Sequence, residues 1–289
     1  MTKTSIYYKN KTNLIKELEK DERIFVLKKQ TLLKKLSFAK KEYADIYFHS
    51  GTLDEEAILN IKNSKKTIVN SKLLKKEILE KTDISKENIK VIYPSINMSY
   101  KKPKQIKEEL CKKYDIDSTP KIIYFTANNL KTSGVKEFFD IIVTLRSMNK
   151  QIIVSSDKNQ INALKFLISK YNFGDEVLLL EDYEKPNDLF LVADIFILPT
   201  YNKSFATNIL KAMYCKCAVL STTTNYASEL IDVFATMENP SDPNTSFKVD
   251  ALLSREEDLK LIQKENRKIA KKYELSKNLN KLNTIIESI

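Results

Sequence analysis

Short runs of β-branched and apolar residues alternate along the chain with longer segments of helical periodicity. This alternation constrains the fold more than any other feature, because strands separated by helices form βαβ units and parallel sheets. Ten strands are predicted at Ser5–Tyr8, Arg23–Leu27, Asp45–His49, Thr67–Asn70, Lys90–Tyr93, Lys121–Thr126, Gln151–Ser155, Glu176–Leu180, Ile195–Pro199 and Ala218–Ser221. The sequence therefore predicts an α/β fold.

The strands fall into two groups, separated by a proline-containing, charged segment. We predict an N-terminal Rossmann-like domain at residues 1–95, a linker at residues 96–120 and a C-terminal Rossmann-like domain at residues 121–250. Residues 251–289 form a charged helical tail with no predicted strand. Domains of this size are ordinary for a chain of 289 residues.

Glycine, cysteine and histidine are scarce, and this excludes several classes of site. The chain has three glycines, none spaced as in GxGxxG or GxxxxGK, which excludes the glycine-dependent dinucleotide and P-loop motifs. Three cysteines and one histidine make neither a disulfide framework nor a four-ligand zinc site. Cys215 and Cys217 could form half of a metal site, but buried structural thiols are favoured because a helix passes into an apolar strand there.

The charge balance is basic, with 49 lysines and arginines against 38 acids. Only four of the basic residues are arginines, and aromatic residues are sparse among them, so nucleic-acid binding is the weakest of the functional interpretations. No apolar stretch approaches the roughly 18 residues needed to span a membrane, and a cytoplasmic location is expected.

Parallel sheets bind ligands beyond the carboxyl ends of their strands. The loops expected to bind a ligand are therefore residues 49–52, 126–134, 181–185 and 200–208. His49 ends a predicted strand and is a catalytic candidate, because an imidazole there could contact a donor or move a proton. The alternative interpretation is an ordinary hydrogen-bonded histidine at a strand end.

From about Asn60 onward, the chain resembles glycosyltransferase family 4, which has the GT-B fold. The resemblance is carried by ordered segments: Lys66–Ser71, Ile89–Pro94, Ile122–Thr126, Ser133–Val135, Val192–Thr200, Phe205 with Ala212 and Met213, and Asn266–Tyr273. It implies two Rossmann-like domains facing a cleft, with a C-terminal helix that crosses back to the first domain. It also implies retaining transfer of a sugar from a nucleotide-sugar donor to a glycan or lipid-linked acceptor, with no metal cofactor.

The resemblance places the donor in the C-terminal domain. The implied donor-binding positions are Asn128, Lys131, Ser133, Gly134, Tyr183, Lys203, Phe205, Ala206, Thr207 and Lys211. Lys203 and Lys211 stand where the family has two glutamates that hydrogen-bond hydroxyl groups, and a cation cannot reproduce that contact. Asn128 and Ser133 stand where the family has an arginine and a lysine.

These departures leave two interpretations of the lysines and of the protein. Lys203 and Lys211 could neutralise a phosphate-bearing donor, or they could be solvated surface residues, which is the favoured interpretation. The protein could accordingly be a glycosyltransferase of surface-glycan or lipid-linked sugar assembly. Alternatively, it could be a non-catalytic pseudo-glycosyltransferase that binds or scaffolds another protein.

The N-terminal domain also departs from the family. Residues 8–12 replace a glycine-rich acceptor loop, and the domain is short. Residues 28–41 carry six lysines and no acid, with apolar residues between them. This segment could contact an anionic membrane, or it could be a solvated helix that covers the sheet.

Overall fold

The computed structural model describes residues 3–28 and 42–289. The chain divides into two compact units: Met1–Asn97 with Tyr273–Ile289, and Met98–Lys272. The lysine-rich segment at residues 28–41, considered above as a membrane contact, lies outside the described residues apart from Lys28.

The first unit contains a five-stranded sheet in which all the neighbouring strands are parallel. Its strands are β1 (Thr4–Tyr8), β2 (Ile24–Val26), β3 (Ile46–His49), β4 (Lys66–Val69) and β5 (Ile89–Val91). Their order in the sheet is β2-β1-β3-β4-β5. The central strand β3 is entirely buried, as expected for a parallel strand covered on both faces.

In the described part of the first unit, three helices follow strands of its sheet: α1 (Asn13–Leu18), α2 (Glu55–Asn63) and α3 (Lys72–Lys81). Each begins after a short polar residue whose side chain accepts a hydrogen bond from a backbone N–H of the first turn. These N-cap residues are Thr12, Asp54 and Ser71. A 3₁₀ turn at Lys86–Asn88 leads into β5.

The second unit contains a six-stranded parallel sheet. Its strands are β6 (Lys121–Thr126), β7 (Lys150–Ser156), β8 (Val177–Glu181), β9 (Ile195–Leu198), β10 (Ala218–Thr222) and β11 (Thr236–Met237). All ten strands expected from the sequence are therefore present, and their ends differ from the expected ones by at most two residues. The short strand β11 was not expected, because two residues are too few to show a period.

The helices of the second unit are α4 (Pro103–Tyr114), α5 (Val135–Val143), α6 (Lys158–Ile168), α7 (Pro186–Val192), α8 (Thr207–Tyr214), α9 (Asn244–Ser254) and α10 (Glu256–Ala270). Helix α4 lies in the segment interpreted from the sequence as a linker, and it packs against α7 within this unit. Short 3₁₀ turns occur at Gly174–Glu176, Tyr226–Leu230, Val233–Ala235 and Lys271–Tyr273.

The strand order of the second sheet is β11-β10-β9-β6-β7-β8. Strands β6 and β9 are neighbours, and Tyr124 pairs with Phe196 in their register. From β6 the chain proceeds toward β7, whereas from β9 it proceeds in the opposite direction toward β10. The β6/β9 boundary is therefore the topological switch point, where open α/β sheets bind their ligands.

The last helix, α11 (Leu275–Ile286), belongs to the first unit. Leu282 and Ile286 are buried in that unit's core with residues of β1 and β3. The Asn278 side-chain amide donates to the carbonyl of Tyr93 at 2.9 Å and to Ser95 Oγ at 3.0 Å. The C-terminal helix thus returns to the first unit, as the family resemblance implied.

Candidate functional site

Two chain segments follow the switch-point strands, residues 127–134 after β6 and residues 199–211 after β9, and we call them together the switch-point site. Gly134 has φ +82°, and a Cβ atom added to it would lie 1.8 Å from the carbonyl oxygen of Pro199. No side chain fits in that space, so glycine is needed both for the conformation and for the close approach.

Side-chain amides join the two segments across the strand boundary. Asn202 Nδ2 donates to the carbonyl of Thr132 at 3.3 Å. Asn208 Nδ2 donates to the carbonyl of Thr126, the last residue of β6, at 3.2 Å. The segment after β9 is therefore tied to the segment after β6 by hydrogen bonds as well as by packing.

Asn225 holds the loop before α8 in place. It is fully buried, and its Nδ2 donates to the carbonyls of Asn202 at 2.9 Å and Ser204 at 2.7 Å. Its Oδ1 accepts from the backbone N–H of Ala206 at 3.2 Å and of Ala227 at 3.0 Å. The sequence did not indicate this role of Asn225, because nothing in the local pattern shows that residue 225 meets residues 202–206.

Two helices begin at the switch-point site. Helix α5 starts after Gly134 and α8 starts after Ala206, and neither N-cap residue provides a side-chain hydrogen bond to the first turn. The first backbone N–H groups of a helix have no partner within it, and the helix dipole adds partial positive charge there. Both features favour a negatively charged ligand at the carboxyl edge of the sheet.

The side-chain charges of the switch-point site have the same sign. Residues 127–134 and 199–211 include three lysines and no aspartate or glutamate. Lys131 and Lys203 are exposed, whereas Lys211 is half-buried. The interpretation of the lysines as solvated surface residues therefore describes the exposure of Lys203 but not that of Lys211.

Lys211 is an isolated cation in its surroundings. Its Nζ lies 5.9 Å from the ring centroid of Phe190, and burial lowers its pKa. It forms no ion pair with any residue of the described part of the chain. The sequence identified the position but could not show that the ammonium group is desolvated.

The remaining donor-site candidates lie in different environments. Ser133 and Phe205 are buried, whereas Asn128 and Thr207 are exposed. The carbonyl of Asn128 accepts a hydrogen bond from Gln160 Nε2 at 3.1 Å. Tyr183 follows β8, which strand β7 separates from the switch point, and its ring lies 5.6 Å from Lys113 Nζ.

A cavity of about 460 Å³ adjoins the first segment on the side of α5 and α6. Apolar side chains such as Leu130, Val135 and Leu164 line much of it, and Lys131 and Tyr201, from the two segments of the switch-point site, lie at it as well. The apolar part of this cavity is a poor environment for a diphosphate.

His49 ends β3 in the first unit and is 3% exposed. Its Nδ1 lies 3.2 Å from the Tyr47 hydroxyl, and its Nε2 is buried without a hydrogen-bond partner among the described residues. Burial, followed by the charge of Lys9, lowers the pKa of His49 to about 4, so the imidazole is neutral at pH 7. Burial also raises the pKa of Tyr47, which stays protonated.

The hydrogen bond to Tyr47 determines which nitrogen of His49 carries the proton. Tyr47 has no other acceptor in the described structure, so its hydroxyl donates to Nδ1. The proton of the neutral imidazole is then on Nε2, where it is an unpaired donor. His49 is thus suited to donate a hydrogen bond to a ligand oxygen. No carboxylate among residues 3–28 and 42–289 forms a hydrogen bond with it, as one would in a catalytic triad.

Within the described residues, no three histidine, cysteine or acidic side chains come together in a way that could hold a metal ion. All three cysteines are buried and free, and Cys217 Sγ contacts the carbonyls of Phe190 and Ala193 at 3.2 and 3.4 Å. No helix in that part of the chain is long and apolar enough to cross a membrane.

Two units with parallel sheets, a switch-point site in the second and a C-terminal helix that returns to the first define a protein of the GT-B class. A sequence profile described as Glycosyl transferases group 1 matches residues 106–279, more than half of the chain. The chain belongs to this family of glycosyltransferases, and the resemblance seen in the sequence is confirmed. No curated protein matches the chain at a significant level.

Solved structures with the same fold include that of a glycosyltransferase from Rickettsia africae, at 18% identity and TM-score 0.74, covering 99% of this chain and 90% of that one. Anabaena HepE in complex with UDP is 14% identical, with TM-score 0.73 and coverage of 84% and 72%. WaaG, a glycosyltransferase involved in lipopolysaccharide biosynthesis, is 13% identical, with TM-score 0.71 and coverage of 98% and 99%. These matches confirm the α/β GT-B fold.

Proposed function

We propose that the switch-point site binds the diphosphate of a nucleotide-sugar donor and that the protein transfers the sugar, with retention, to a glycan or lipid-linked acceptor. The observation that carries this proposal is the charge of the site: two helix N-termini without side-chain caps and three lysines meet at the switch point. The Glu137 carboxylate, in the first turn of α5, accepts a hydrogen bond from the Tyr201 hydroxyl at 2.8 Å. Such a site stabilises the charge that develops on a diphosphate leaving group.

The comparisons support this proposal. HepE, which shares the fold, has been solved with UDP and with UDP-glucose. In this chain the diphosphate would lie against the first turns of α5 and α8, and Lys131 and Lys203 would supply mobile positive charge. Gly134 would allow the backbone to approach the phosphates, and Asn225 would keep the loop before α8 in its binding conformation.

In the first unit, we assign His49 a hydrogen bond from Nε2 to an oxygen of the substrates. The support is the buried, unpaired Nε2 at the carboxyl end of β3. Because the pKa of His49 is about 4, the imidazole would act as a neutral donor rather than as a cation at pH 7. His49→Gln keeps a donor of similar length, whereas His49→Phe removes it, so transfer should fall more in the second variant.

Donor binding is tested by calorimetry with UDP-, GDP- and ADP-sugars. We expect one nucleotide to bind, and we expect Asn225→Ala to weaken it without unfolding the protein. Asn149→Ala is the matched control and should bind as the wild type does, because Asn149 is exposed and precedes β7, at the edge of the sheet opposite the switch-point site. If no nucleotide or nucleotide sugar bound to the folded protein, donor binding would be refuted.

A second candidate is a pseudo-glycosyltransferase that binds another protein. It is favoured by Lys203 and Lys211, which occupy the positions of the family's two glutamates. The two candidates differ in turnover: an enzyme hydrolyses or transfers the donor sugar, whereas a pseudoenzyme at most binds it. Nucleoside diphosphate release, measured with and without a glycan acceptor extract, separates them, and the Lys203→Glu Lys211→Glu double variant shows whether turnover is latent.

The proposal also covers the need for a metal, the location of the protein and its contact with lipid. We propose that the donor is a substrate and that transfer needs no metal, so activity should survive EDTA. We also propose that the protein acts in the cytoplasm, where residues 28–41 contact anionic lipid. The lipid contact would be contradicted if the protein sedimented no more with phosphatidylglycerol vesicles at low salt than with neutral vesicles.

A further inference from the structure

Lys211 is directed toward the switch-point site by its place on α8. Asn208, three residues earlier, reaches from the same helix to the carbonyl of Thr126 at the end of β6. Residues three apart lie on the same face of a helix, and long helical side chains lean toward the helix N-terminus. The Lys211 side chain therefore lies on the face that Asn208 turns to the switch point, and its ammonium group lies 5.9 Å from the ring centroid of Phe190.

The side chain next to the Lys211 ammonium group is aromatic. The Phe190 ring, 5.9 Å from Nζ, packs at 5.1 Å against Tyr124 of β6 and at 5.5 Å against Phe196 of β9. These two strands form the switch point. The ammonium group thus lies beside an aromatic cluster that packs on these two strands, and burial lowers its pKa.

No negative charge in the surrounding structure balances Lys211. The titratable group that acts on Lys211 is Cys215, one turn along α8, and burial raises the pKa of its thiol to about 12, so it is neutral. Asp188 lies on the neighbouring helix α7, but both of its carboxylate oxygens accept hydrogen bonds from Lys101, at 3.0 and 3.3 Å. Partial burial of an ammonium group without a counterion costs free energy, and Lys211 has no counterion in the described structure.

A diphosphate alone does not account for this cation. Its negative charge is met by two helix N-termini, each equivalent to about half a positive charge, and by the exposed Lys131 and Lys203. Both of those lysines can turn toward a ligand, because they are at the surface. Lys211 lies one turn deeper, and its charge remains to be matched by another group.

We propose that the donor carries an additional anionic group, a carboxylate or phosphate on its sugar or its ribose, and that Lys211 binds it. Lys211 is then a residue that determines donor specificity. The inference rests on the proposed donor binding at the switch-point site and narrows it from nucleotide sugars in general to those with an extra negative charge. A neutral hexose donor would leave the ammonium group buried and unpaired.

The test begins by selecting the base, comparing UDP, GDP and ADP by calorimetry. Two matched comparisons are then made with the nucleotide that binds: the hexose donor against its uronate, and the nucleoside diphosphate against its 3′-phosphorylated form. We expect one charged ligand to bind at least about tenfold more tightly than its neutral counterpart, which is the gain of one hydrogen bond to a charged group. The charged ligand that binds more tightly than its neutral counterpart shows whether the additional charge of the donor is on the sugar or on the ribose.

Lys211→Met removes the charge while keeping the apolar stem, so the protein should remain folded and the preference should disappear. Lys203→Met, at the exposed lysine of the same site, is the matched control and should keep the preference. Equal binding of the charged and neutral members by the wild type would overturn the inference while leaving donor binding intact. A preference that survived in Lys211→Met would overturn it too, whereas no nucleotide binding at all would refute the proposed function itself.

Discussion

Gly134 and Pro199 approach each other so closely that a Cβ atom on residue 134 would lie 1.8 Å from the Pro199 carbonyl oxygen. The contact joins the ends of the two segments that follow β6 and β9. It therefore controls both the stability of the second unit and the shape of the switch-point site.

We predict that Gly134→Ala lowers the free energy of unfolding of the second unit by about 3 kcal/mol or more, because backbone must move to admit the methyl group. Gly174→Ala is the control, since Gly174 has φ +52° and no atom within 4 Å of an added Cβ. It should cost only about 1 to 2 kcal/mol of left-handed strain. Urea unfolding measures both, and equal losses would show that the contact with Pro199 is not tight.

Asn225→Asp tests how much the hydrogen bonds from Asn225 to the loop before α8 contribute to stability. The substitution replaces the Nδ2 donor, which serves the carbonyls of Asn202 and Ser204, by an acceptor. We expect a loss of about 2 to 4 kcal/mol in unfolding free energy, because buried carbonyls lose a partner and face a carboxylate. Asn208→Asp, which affects one hydrogen bond, should cost clearly less, and a larger loss for Asn208→Asp would contradict the central role of Asn225.

The burial of His49 predicts a pH dependence of stability. Its pKa is about 4 in the folded protein and about 6.5 in the unfolded chain, so the unfolded chain binds more protons between these values. Stability from this group is complete above about pH 6.5 and falls as the pH decreases toward 4. The full difference corresponds to about 3 kcal/mol.

Two measurements test this dependence. His49 is the only histidine in the chain, so its imidazole proton resonances follow one titration directly. The difference in unfolding free energy between wild type and His49→Gln isolates its share from that of the carboxylates that titrate in the same range. A resonance that titrated near pH 6.5 would show that the imidazole is solvated.

Arg267 is predicted to stabilise the second unit through stacking as much as through charge. Its guanidinium carbon lies 3.5 Å from the ring centroid of Tyr100, and Nη1 donates to the carbonyl of Tyr214 at 2.7 Å. We expect Arg267→Lys to cost about 1 to 2 kcal/mol, since an ammonium group cannot stack in this way. Arg146→Lys is the control, because its guanidinium lies 6.0 Å from the Phe247 ring, and its effect should be close to zero.

The sequence determined the parts of this protein that depend on local pattern. Alternating apolar runs predicted all ten of the longer strands, and the spacing of strands and helices predicted parallel sheets and the C-terminal helix. His49 was recognised as the end of a strand. These properties follow from the periods of strands and helices, which neighbouring residues carry by themselves. The glycosyltransferase family was indicated separately, by the resemblance of the ordered segments after Asn60.

Only the tertiary structure decided the environment of individual groups. Asn225 meets the loop at residues 202–206, and Gly134 meets Pro199, through contacts between segments that are far apart in the chain. The sequence showed that Lys211 replaces a family glutamate, but not that its ammonium group lies over Phe190 without a counterion. Burial, pairing and pKa depend on which segments pack around a side chain, and that packing is set by the whole sheet rather than by the residues beside it.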